Sequence, residues 1–136
     1  MELTGHHLIG DTTGAVGQET FQAQDPCSQA VLSPAFHEAT VSEVGMALRL
    51  GQECFDTFRA TTAEDRAAFL EAIADEVMAL GDALLERAHQ ETGLPMARLT
   101  GERGRAVNQA KLFAGLIREG SWIDARIDLA LPDRQP

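Results

Sequence analysis

Through the middle of the chain, apolar residues recur at three- and four-residue steps. Leu70, Ile73, Val77, Leu80 and Leu84 form one stripe, and Glu71, Asp75, Glu76 and Asp82 lie off it, the pattern of a helix with one buried face. The segment ends at Gly93-Leu94-Pro95: glycine adopts the left-handed turn that closes a helix, leucine packs back and proline cannot continue. Gly81-Asp82 inside it predicts a kink or restart near Leu80, and therefore two nearly continuous helices. The first of them should open at Thr61, whose hydroxyl has capping-box spacing to Glu64.

An earlier helix is expected from Thr40 to about Phe58. Thr40 and Glu43 form a capping box, and Val44, Ala47, Leu48, Cys54, Phe55 and Phe58 supply its buried stripe. The last helix should run from Pro95 to about Arg118, with Gly120 past its end and Leu99, Arg103, Ala106, Ala110, Phe113 and Ile117 on one face. Gly101 and Gly104 within it predict a close backbone approach or a kink. From Trp122 to Leu131 the period changes to two, which predicts a strand with one buried face and no evident partner.

Before residue 40, glycines and prolines interrupt every helical window. The expectation there is a small β element, with strands at His7–Ile9, Thr20–Gln24 and Ala30–Ser33 and a turn at Asp25-Pro26-Cys27-Ser28. The organisation is thus short strands over 1–39, a helical segment over 40–120 and a strand with a tail over 121–136, a mainly α fold with a small β element.

Composition narrows the functional classes. The 136 residues are 44% hydrophobic, and 11 Lys plus Arg against 21 Asp plus Glu give a net charge of −10, which disfavours nucleic acid and anionic membranes. No run of apolar residues is long enough to span a bilayer, and a cytoplasmic protein is expected. Cys27 and Cys54 make no Cys-x-x-Cys pair and are read as two buried thiols, with one disulfide as the alternative.

Candidate chemistry is sparse. Gly10, Gly14 and Gly17 lack the spacing of a phosphate loop and precede no helix, so they are read as turns. His6, His7, His37 and His89 show no metal-ligand spacing. Glu71, Asp75, Glu76 and Glu86 read as solvated helix faces, and Cys54 reads as core rather than nucleophile. Catalytic, cofactor-binding and metal residues are accordingly none.

Three segments carry a resemblance. FDTFRATTAEDRAAFLEAIADEVMALGDALLERAHQETGLP resembles the helix pair ending in Glu-Thr-Gly-x-Pro near the N-terminus of aldehyde dehydrogenases, and TFQAQDPCSQAVL resembles their earlier strand, Asn/Asp-Pro turn and strand. ARLTGERGRAVNQAKLFAGLIREGSWIDARIDLALPDRQP is similar to the subgroup that oxidises 2-oxoglutarate semialdehyde (2,5-dioxopentanoate), usually with NADP. Ser28-Gln29, where the family commonly has Thr-Gly, and Ala110, where a larger aliphatic is usual, are departures that touch a turn and packing.

The resemblance implies the N-terminal part of an aldehyde dehydrogenase-like α/β fold ending in an oligomerisation strand, 122–131. It implies an oxidoreductase in which a cysteine thiolate attacks the aldehyde, hydride passes to NADP or NAD and a glutamate activates water. Those residues, the oxyanion asparagine and the cofactor-binding strands fall beyond the resembling segments, so a fragment inactive alone, with no cofactor bound to it, is expected. Some relatives hold a monovalent cation at positions that correspond to the Ala23-Gln24 backbone and Glu102. The implied partners are an aldehyde substrate and further copies of the intact enzyme. The alternative is an independent helical interaction module that adds strand 122–131 to a partner's sheet.

Overall fold

The computed structural model describes residues 3–127. Four short strands come first: β1 (His7–Ile9), β2 (Thr12–Gly14), β3 (Thr20–Phe21) and β4 (Phe36–His37). Four helices follow, α1 (Val41–Arg59), α2 (Ala63–Ala79), α3 (Gly81–Thr92) and α4 (Met96–Glu119), and then a 3-10 turn at Ser121–Ile123. The molecule is mainly helical with a small β element, as the patterning predicts.

The strands form two antiparallel pairs. β1 and β2 make a hairpin with Leu8 opposite Thr13, and Gly10 at its turn has a φ of 62°, which favours glycine. β3 pairs with β4, setting Phe21 opposite Phe36, and a single bridge joins Gln24 to Val31. The strand expected at Thr20–Gln24 is therefore reduced to Thr20–Phe21, and the one expected at Ala30–Ser33 is corrected: it forms only the bridge at Val31, and β3 pairs with Phe36–His37 instead. Between them Asp25 takes the turn: its carboxylate accepts from the Cys27 N–H at 2.7 Å, the Ser28 N–H at 3.2 Å and the Ser28 hydroxyl at 2.7 Å. Gly17 has no room for a side chain, because a Cβ there would stand 2.1 Å from the Glu38 carbonyl oxygen.

Helix boundaries follow local chemistry. Thr40 and Glu43 close the expected capping box at α1. At α2 the box sits one residue later than expected, on Thr62 and Asp65. The reason lies in the neighbours: the Thr61 hydroxyl donates to the Phe58 carbonyl at the end of α1, and Glu64 is drawn to Arg118 of α4. The α2–α3 break falls at Leu80-Gly81, with Gly81 at φ 59°, and left-handed Gly93 and Gly120 end α3 and α4.

The core lies between α2 and α4 and is made of small side chains. Ala67 and Ala74 on α2 and Val107 and Ala114 on α4 are buried, each pair two helical turns apart, with Leu85 and Leu99 extending the core to one side. Alanine against alanine lets two helix axes approach closely. The expected faces are corrected accordingly. Ile73, Ala106 and Phe113 are exposed, whereas Leu70, Val77, Leu80 and Leu84 flank the core as half-buried residues. Gly101 and Gly104 do not serve a close approach, since a Cβ on either would meet nothing within 4 Å.

The expected buried stripe of α1 is exposed. Val44, Ala47, Leu48, Cys54, Phe55 and Phe58 all face solvent, Leu48 at 71%. The helix is held to β1 and its hairpin turn, where Leu50 lies against Gly10, and Phe58 meets Phe69 edge to face at a centroid distance of 6.3 Å. Amphipathic spacing identifies a face that wants cover but does not supply the cover.

The strand expected at 122–131 is corrected over its described part. Trp122 lies in the 3-10 turn, Asp124 is left-handed at φ 49°, and 124–127 form no ladder. An isolated strand has unpaired amides and carbonyls, and both sheets among the described residues lie in the N-terminal element. Residues 128–131 lie outside the described residues.

Ala74→Leu, which overfills the α2–α4 contact, should lower urea-unfolding stability by about 1–3 kcal/mol, whereas Ala68→Leu on the exposed side should stay within about 0.5 kcal/mol.

Candidate functional site

Glu43 is the most constrained polar side chain of the N-terminal element. It is only 6% exposed although charged. Its carboxylate accepts from the Thr40 N–H at 2.8 Å, the Thr40 hydroxyl at 2.7 Å and the Val16 N–H at 2.9 Å. These donors, the Thr40 amide first, hold its carboxyl down to about 2 from an ordinary 4.5. One residue thus completes the cap of α1 and ties the helix to the segment that follows β2. A cleft of about 400 Å³ runs beside it, lined by His7, Leu8, Ile9, Val44 and Leu48 among others. The His7 Nε2 is buried without a hydrogen-bond partner.

Arg87 is the second anchor. Its guanidinium donates to the Ser33 carbonyl, pairs with Glu91 at 2.5 Å and lies 5.8 Å from the centroid of the Phe36 ring. It joins α3 to the β3–β4 element. Gly93 completes that junction: a Cβ at this left-handed position would stand 3.0 Å from the Cys27 Sγ.

Arg118 clamps α2 to α4. It donates to both oxygens of Glu64, at 2.8 and 2.7 Å, and to both oxygens of Glu71, at 2.6 and 2.9 Å. These hydrogen bonds draw both carboxyls below their usual range and raise the guanidinium above its own. The seven-residue spacing of Glu64 and Glu71 is the signal that reveals this pair in the sequence, since it sets them on one helix face.

The candidate residues do not converge. Glu71 belongs to the clamp, Asp75 pairs with Lys111 at 3.1 Å, Glu76 is exposed, and Glu86 edges a groove beside Arg87. His6 and His37 are ring neighbours at 5.5 Å, with the His37 Nδ1 bound to the Gly17 carbonyl, while His89 bonds the Leu94 carbonyl across the end of α3. Cys27 and Cys54 are both exposed, which corrects their expected burial. The Cys54 thiol donates to the Gly51 carbonyl within its own helix at 3.3 Å. Among the described residues no three His, Cys, Asp or Glu side chains gather as a metal site.

The starts of α1 and α2 do not fit a dinucleotide phosphate. In each, a capping box takes the N-cap and third amides and sets a carboxylate, Glu43 or Asp65, at the helix start, where its negative charge opposes an anion. Gly10 and Gly14 stand in a hairpin rather than before a helix. Of the groups implied for a cation, the Ala23 carbonyl accepts from Leu32 at 2.8 Å and Glu102 faces Arg98 at 3.8 Å. No helix among the described residues is long and apolar enough to cross a membrane.

Among the described residues the charged side chains form structural ion pairs that join helices and strands. The same fold occurs in a solved NAD-dependent benzaldehyde dehydrogenase from Corynebacterium glutamicum, with a TM-score of 0.77 at 19% identity over 85% of this chain and 26% of that one. The sequence matches the aldehyde dehydrogenase family over residues 14–129, and the chain belongs to that family. It is 51% identical over 137 aligned positions to Alpha-ketoglutaric semialdehyde dehydrogenase 2 of Azospirillum brasilense, which covers all of this chain. It is 39% identical over 135 positions to Alpha-ketoglutaric semialdehyde dehydrogenase of Acinetobacter baylyi (strain ATCC 33305 / BD413 / ADP1), which covers 99% of it. The chain spans 26% of the length of each of these two relatives. A family match of this extent does not favour the independent interaction module.

Because the folded Glu43 carboxyl titrates near 2 and an ordinary one near 4.5, its contribution is fully present above about pH 4.5 and fades as the pH falls toward 2. Glu43→Gln should therefore be less stable than the parent at pH 7, and the gap should close on acidification through that window. Melting temperatures measured from pH 7 to 3 test this; a gap constant with pH would refute it.

Proposed function

We propose that this chain is the N-terminal part of an aldehyde dehydrogenase that oxidises a small acidic semialdehyde, of the 2-oxoglutarate semialdehyde type, to its carboxylic acid with NADP or NAD. The observation that carries this reading is the 51% identity, across the whole chain, to a protein named for that aldehyde. In this reading residues 40–120 form the outer helices beside a cofactor domain. The thiolate nucleophile, the water-activating glutamate and the oxyanion asparagine belong to parts of the enzyme that match no residue of this chain. Residues 122–131 become a strand only against later residues and a neighbouring subunit, which gives a cytoplasmic homo-oligomer. The exposed stripe of α1 and the ladderless segment 124–127 support the reading, because both are local patterns waiting on a surface that the described residues do not provide.

What the chain itself contributes is position. Glu43, Arg87 and Arg118 hold the strands, α3 and the α2–α4 pair in fixed relation, so that a cofactor domain packed on them has a rigid back. The isolated chain, given 2-oxoglutarate semialdehyde and NADP or NAD, should produce no absorbance at 340 nm above a protein-free control. A longer protein that contains this segment with the family's cysteine and glutamate should produce it. Turnover by the isolated chain would overturn the assignment of chemistry to other residues; a longer protein that oxidises benzaldehyde but not the semialdehyde would overturn the substrate.

A further inference from the structure

We draw no further inference here: the strongest candidate, the exposed apolar face of α1 that carries Val44, Leu48 and Phe55, has nothing in the structure to show what covers it.

Discussion

The close approach of α2 and α4 is the constraint on which the rest depends. Ala67, Ala74 and Ala114 have no side-chain length with which to hold two helices apart, and they are buried between α2 and α4 together with Val107. A pair built this way gains little area per residue, and it relies on fit and on polar ties at its margins. The ties are present. Arg118 spans from the end of α4 to two turns of α2, Lys111 meets Asp75 partway along, and Arg103 donates to the Gly81 carbonyl at 2.7 Å where α2 gives way to α3. That last bond ties α4 to the first residue of α3, so the kink and the helix pair are held together.

The β element is attached to this pair indirectly, through two charged side chains rather than a shared apolar core. Arg87 reaches from α3 to the Ser33 carbonyl and the Phe36 ring, and Glu43 reaches from α1 to the Val16 amide. Each bond links residues far apart in sequence, and each is charge-assisted, so the geometry of the strands depends on a few strong contacts. Gly93 adds a steric condition. The turn at Pro26-Cys27 lies against it closely enough that a Cβ on the residue which ends α3 would crowd the Cys27 thiol and the Pro26 ring.

Legibility in the sequence divides along the range of the interactions. Helix starts and stops are decided within four residues, so Thr40, Gly93, Pro95 and Gly120 could be read directly. The start of α2 slipped by one because Thr61 and Thr62 compete for the same role, and the winner is set by Phe58 and Arg118, which lie outside the local window. Buried faces were harder. A stripe of large apolar residues draws the eye to Ile73 and Phe113, but the closest contact is made by alanines, which hydrophobic periodicity weights lightly. For α1 and the segment after Trp122 the pattern names a face or an alternation, and no sequence pattern names the partner that would bury it. The family was legible because its segments are contiguous; the absence of a converged site among the candidate residues followed from their scatter over several helices and turns.

The ionisation of the carboxylates follows from the donors around them. Asp25, Glu43, Glu64, Asp65, Glu71 and Glu119 are all displaced downward, in each case first by a hydrogen bond from a hydroxyl, an amide or a guanidinium. A general acid at neutral pH needs the reverse, a carboxyl held above its ordinary value by burial or by a like charge. Such donors also occupy the lone pairs that a general base would use. Six carboxylates engaged in this way act as fasteners of turns, helix starts and the α2–α4 pair.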